Sequence, residues 1–159
     1  MVREVGVSGK VEGRTVRGLY SDVIKDVKER QGWRLDAFDG SDGGVLVHRD
    51  IKSERRMGGY GVNLGLLERL VNTQMALDGV ANIYLIDEIG IVAHWSQQFD
   101  TAMDYLLASD TLVIAIIRDR GDGYVQQVKS RYDIEIWEIS RANHDTISSQ
   151  LFDWIQAHS

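Results

Sequence analysis

Two kinds of hydrophobic spacing divide the chain. In the first half, residues 16–24 and 32–38 mix β-branched, aromatic and apolar side chains on either side of a charged stretch, 25–30, which predicts an antiparallel hairpin. A third strand is expected at 45–48, after the turn-forming run Asp39-Gly-Ser-Asp-Gly-Gly44. Residues 50–61 are polar, basic and glycine-rich and predict a loop. Beyond them Leu64, Leu66, Leu67, Leu70, Val71, Met75 and Leu77 recur at helical spacing, with Asn63 placed to cap the first turn.

The second half changes rhythm. Ile83, Tyr84, Leu85 and Ile86 form a short apolar run of the kind buried on both faces of a sheet, ending in two adjacent carboxylates, Asp87 and Glu88. Ser96 can cap a helix whose stripe is Phe99, Met103, Leu106 and Leu107, and residues 111–117 read as a second doubly buried strand. A short helix at 123–131, a strand at 134–139 and a terminal helix at 144–157 complete the pattern. Alternating helix and strand is the signature of a parallel sheet flanked by helices. The expected fold is therefore α/β: a mostly parallel central sheet with helices on both faces and an antiparallel N-terminal hairpin extension. No repeat, low-complexity segment or linker interrupts residues 1–159, which predicts one domain.

Composition narrows the function classes. Hydrophobic residues make up 43% and charged residues 26%, the balance of a globular chain. The absence of cysteine excludes disulfides, zinc fingers, iron–sulfur ligation and thiol catalysis. A net charge of −6 argues against nucleic acid as a partner. No apolar run approaches a membrane span and the first residues do not form a signal peptide, so the expected location is cytoplasmic, away from membranes. His48, His94, His144 and His158 are too scattered for a metal centre. Ser8, Ser21 and Ser96 lack the Gly-x-Ser-x-Gly setting of a serine hydrolase.

Several charged residues carry candidate chemistry. Asp87 and Glu88 can hold a metal and activate water, or simply end a strand. Lys52, Arg55 and Arg56, beside flexible glycines, can clamp an anion or form a solvated loop. Arg118 follows a buried strand, where ligands of open α/β sheets bind, although a surface salt bridge explains it equally well. Asn143 can contact a base or cap the last helix. Trp33, Trp95, Trp137 and Trp154 suit core or interface positions, with Trp95 the one best placed to meet a partner.

Three strings together resemble a known family. They are Gly18-Leu-Tyr-Ser-Asp-Val-Ile24, Ile51-Lys-Ser-Glu-Arg-Arg-Met-Gly-Gly-Tyr-Gly-Val-Asn63 and Ile86-Asp-Glu-Ile-Gly90. Their order and spacing are similar to those of the small P-loop nucleoside-triphosphatases first known from thermophiles, whose human relative is called a cancer-related nucleoside-triphosphatase. Arg131-Tyr-Asp-Ile134 and Asn143-His-Asp145 are weaker landmarks of the same kind. The resemblance implies a P-loop NTPase-like fold and a Walker B segment. In that segment Asp87 would hold Mg²⁺, the implied cofactor when nucleotide is bound, and Glu88 would activate the attacking water.

The departures from that family are specific. Nowhere does the chain carry Gly-x-x-x-x-Gly-Lys-Ser/Thr, the loop that cradles phosphates. The best echo, Gly9-x-x-x-Gly13-Arg14-Thr15, is one residue short and has Arg14 where lysine belongs. No helix can follow it, because the strand begins at Val16 and a parallel crossover takes about 10–12 residues. Residues 2–8 and 16–24 then more naturally form an antiparallel hairpin. Ile91 and Ala93 also stand where the family tends to carry charge. Hydrogen bonds to charged groups contribute about 1.5–3 kcal/mol each, whereas a micromolar complex totals only ~8 kcal/mol. Losing four or five such contacts removes essentially all useful affinity for a triphosphate.

The leading expectation is thus a degenerate nucleoside-triphosphatase-like protein with an eroded phosphate site. It would act by weak nucleotide binding or by protein association. The alternative is an active Mg²⁺-dependent nucleoside-triphosphatase, with Arg14, Arg55 or Arg56 replacing the loop lysine or with a partner chain supplying the loop. Without a helix over one sheet face, apolar strand surface is left for a homo-oligomer or another protein partner. Residues 1–24 are expected at or near that contact.

Overall fold

The structure, a computed structural model, describes residues 13–27, 29–121 and 123–158. Among the described residues seven strands form one mixed sheet. They are β1 (Val16–Asp26), β2 (Glu29–Ala37), β3 (Gly43–His48), β4 (Arg56–Met57), β5 (Tyr60–Val62), β6 (Ile83–Ile89) and β7 (Leu112–Ile117). Their order across the sheet is β4-β5-β3-β2-β1-β6-β7. Among the described residues four α-helices accompany them: α1 (Leu64–Gln74), α2 (Gln97–Leu107), α3 (Tyr124–Lys129) and α4 (His144–Ala157). The α/β architecture expected from the sequence is therefore present. Its parallel portion is β1-β6-β7, and the remaining four pairings are antiparallel, so the hairpin extension is larger than expected.

Strand β6 sits inside the sheet and is buried from Ile83 to Ile86, as its unbroken apolar run requires. Tyr84 and Ile86 face a core shared with Leu19, Leu35, Leu67, Leu70, Phe99 and Met103, under α1 and α2. Ile83 and Leu85 face the opposite side and pack with Val16, Ile114, Leu151 and Ile155, under α4. Each fully buried aliphatic side chain here is worth roughly 1.5–3 kcal/mol.

The helix caps follow the sequence reading. The Asn63 side chain accepts from the Leu66 amide at 3.2 Å, and Ser96 Oγ accepts from the Phe99 amide at 3.2 Å. Trp33 and Trp95 pack against the first core, Trp137 and Trp154 against the second.

Four expectations need correction. The loop at 50–61 contains the two-residue strand β4 and the start of the three-residue strand β5, because Val62 donates to the Arg55 carbonyl at 2.9 Å and closes a small hairpin. The acid pair does not end its strand: β6 runs through Asp87 and Glu88 to Ile89, with a shift in its pairing to β7 at that point. Strand β7 is only half-buried except at Ile114, because it lies at the sheet edge. Residues 134–139 form no strand, since no neighbouring strand pairs with them among the described residues. Nevertheless Ile134 packs into the first core and Trp137 into the second. The expected strand at 2–8 and most of the shortened glycine loop lie outside the described residues.

Candidate active site

Parallel register fixes the level of each candidate residue along the sheet. Val16 pairs with Ile83, Tyr20 with Asp87 and Asp87 with Ile116, so the acid pair lies toward the C-terminal ends of β6 and β7, level with the middle of β1. Ligands of open α/β sheets bind at that end. Here a cavity of about 260 Å³ opens beneath Asp87 and Glu88. Ser21, Trp33, Met57, Val92 and Arg118 are among its lining residues. The sheet curls enough to bring Met57, on the far edge strand, to the same cavity as the acids of β6.

The carboxyl of Glu88 lies back against its own strand end, because a Cβ on Gly90 would stand 2.8 Å from Glu88 Oε1. Burial of that carboxyl pushes its pKa above the usual glutamate range. The nearby Arg118 guanidinium opposes the shift, and Asp87 adds to it. Arg118 follows β7 directly and is the single cation lining the cavity among the described residues.

A short 3-10 turn, Ala93–Trp95, forms the rim beyond the acids. It is pinned by His94, whose Nδ1 lies 2.7 Å from Asp100 Oδ2 and whose ring stacks on Tyr124 at 5.8 Å. The His94–Asp100 pair was not legible in the sequence as anything but scattered histidine. Trp33 and Met57 carry no local motif either, and only the curl of the sheet brings them to the acids.

The other candidates separate. Arg14 precedes β1, and the neighbouring Thr15 exchanges hydrogen bonds with Asn82 at the start of β6. Four residues at ~3.3 Å each put that end of the sheet about 13 Å from Asp87. Arg55 and Arg56 are exposed at the β4 hairpin, where Arg56 donates to the Gly59 carbonyl at 2.8 Å, and Lys52 is exposed in the preceding loop. Tyr60 anchors that hairpin by donating to the Arg30 carbonyl at 3.2 Å and by an edge-on contact with Trp33. Asn143 sits at the cap position of α4 without capping it. Its Oδ1 accepts from the Ser140 amide at 2.7 Å instead, tying back the preceding loop.

Mg²⁺ commonly takes one or two carboxylates and completes its octahedron with water and substrate phosphate. Asp87 and Glu88 fit that partial role. No group of three or more metal-binding side chains occurs among the described residues.

A mixed sheet covered by helices, with an acid pair and a cavity at the C-terminal ends of its parallel strands, defines an NTPase-type α/β protein. The family model described as NTPase matches residues 1–152, and the chain belongs to that family. Among its relatives is the nucleoside-triphosphatase THEP1 of Thermotoga maritima, 28% identical over 135 residues that cover 84% of this chain and 77% of the relative. The crystal structure of THEP1 from the hyperthermophile Aquifex aeolicus superposes with a TM-score of 0.72 at 21% identity, covering 94% of this chain and 87% of that one. The solution structure of a human cancer-related nucleoside triphosphatase superposes with a TM-score of 0.76 at 20% identity, covering 98% and 89%. The resemblance stated from three sequence strings is thereby established as family membership. In addition, no helix among the described residues is long and apolar enough to cross a membrane.

Proposed function

We propose that this protein is a member of the NTPase family with an incomplete phosphate site, holding nucleoside triphosphates weakly or not at all and acting through association with itself or a protein partner. The observation that carries the reading is the position of residues 13–15. A phosphate loop joins the C-terminal end of a strand to a helix, and its amides and lysine must face the metal-holding acid. Residues 13–15 instead lead into the N-terminal end of β1, next to Asn82 and a sheet's length from Asp87. Arg118 then faces two carboxylates alone, a rim that repels a triphosphate more than it attracts one.

Association follows from the sheet edge. Strand β7 is apolar throughout and carries neither the lysine nor the proline that often blunts an exposed edge. Tyr132, Ile136 and Ile139 are exposed in the segment that follows α3. Calorimetric titration with Mg-ATP and Mg-GTP tests the nucleotide half of the proposal, and micromolar binding overturns it.

A second reading is favoured by the Arg118–Glu88 proximity: an active Mg²⁺-dependent nucleoside-triphosphatase whose phosphate loop comes from a partner chain. Phosphate release that persists through purification and vanishes in Glu88→Gln supports that reading. Release that is unchanged in the variant points to a contaminating enzyme.

A further inference from the structure

Beyond the edge of β7 the chain passes from one face of the sheet to the other. Ile134 packs into the same core as Val113, Ala115 and Ile117, and Trp137 into the same core as Leu112 and Ile116. Residues of opposite parity thus reach opposite faces, as they do in an extended strand lying beside β7. Among the described residues no backbone hydrogen bond joins 132–137 to β7, and β7 itself pairs only with β6. Two neighbouring stretches therefore keep amides and carbonyls without a protein partner along the edge between them. Direct pairing would set them ~4.8 Å apart, whereas a gap of ~9.6 Å holds one further strand.

We propose that this gap is a docking slot for one extended segment of a partner protein, apolar on both faces and flanked by basic residues. The apolar requirement follows from β7, whose six residues are aliphatic on both faces and mostly half-buried at the edge. The basic requirement follows from Glu135 and Glu138, both exposed on the outer stretch. An occupant must also be free along both edges to meet both stretches. A lone extended segment is free in that way, whereas the edge strand of a folded sheet can meet only one. Added strands take affinity from main-chain hydrogen bonds and selectivity from alternate side chains. The inference deepens the reading that the protein acts through a protein partner, and it rests on that reading.

Hydrogen–deuterium exchange of the whole chain, with and without a synthetic peptide, tests it. The peptide has an alternating valine–isoleucine core as long as β7, between paired terminal lysines. It is expected to bind and to slow exchange roughly tenfold or more in both 112–117 and 132–137. Successive amides of a strand point to opposite edges, so N-methylating alternate amides blocks one edge at a time. Each of the two methylated peptides should bind roughly tenfold more weakly than the unmethylated one. Glu138→Lys, at an exposed position, should weaken binding of the lysine-flanked peptide while the variant unfolds as cooperatively as the parent. Binding unchanged in that variant overturns the basic requirement. Absence of binding overturns the proposal, as does protection confined to 112–117 or a methylated peptide that binds as tightly as the unmethylated one. If the peptide is not held and the chain still sediments as a dimer, the slot fails while association stands. If the peptide is held and the chain alone is a monomer, the slot stands while self-association fails.

Discussion

Gly18 pairs with Leu85 across β1 and β6, at a φ of +122°, and a Cβ there would lie 1.9 Å from the Leu85 carbonyl oxygen. The glycine of the Gly18-Leu-Tyr string is thus demanded by two backbones rather than by chemistry. Gly18→Ala is expected to cost about 3 kcal/mol in urea unfolding, from left-handed strain combined with a backbone clash. Gly40→Ala, at φ +77° in open space, should cost only about 1 kcal/mol. Equal costs would contradict this account of Gly18.

Glu88 gives a pH-dependent prediction at the same scale. Its carboxyl is raised above the usual range by burial, so the folded state holds that proton more tightly than the unfolded chain. Stability from this group is greatest below the unfolded pKa and is lost as pH rises through the folded one. Glu88→Gln should therefore melt slightly above the parent at pH 7.5, with the gap closing as pH falls toward 4. The effect is small because much of the residue is in solvent. The two acids could be read from the sequence because they interrupt an apolar run. The remoteness of Arg14 could not be read, since it depends on which pair of residues aligns β1 with β6.

Among the elements, those with a strong period and a cap were legible. Helix α2 is an example: Phe99, Met103 and Leu106 are buried where their spacing put them, and Ser96 caps the first turn. Ser96 is itself buried, so Ser96→Ala leaves the Phe99 amide without an acceptor inside the protein. A loss of about 1–2 kcal/mol is expected by chemical denaturation. A change within error would show that the cap does not hold the helix start.

Residues 134–139 teach the opposite lesson. Ile134 and Trp137 reach opposite cores, as in a strand, yet strand formation needs a neighbour's amides and carbonyls, which no single stretch of sequence reports. The same holds for the cavity. Trp33 and Met57 are ordinary alternating residues until the curl of the sheet sets them beside Glu88.

For the molecule as a whole, the proposed self-association turns on the edge strand β7. An uncharged edge strand flanked by exposed Ile136 and Ile139 is expected to pair or to be covered. Sedimentation at micromolar concentration should therefore report a dimer or larger species. A variant carrying Ile136→Lys and Ile139→Lys, both exposed beside that edge, should shift it toward the monomer. A monomeric parent would remove the case for self-association.

The central proposal is that the family scaffold lacks a working phosphate site, and what supports it is that residues 13–15 meet the sheet at the end opposite Asp87. Isothermal titration of the intact protein with Mg-GTP, with guanosine as the reference ligand, measures this most directly. The account predicts that the triphosphate and Mg²⁺ add no affinity beyond that of the nucleoside. Micromolar binding that requires both Mg²⁺ and the γ-phosphate would contradict it.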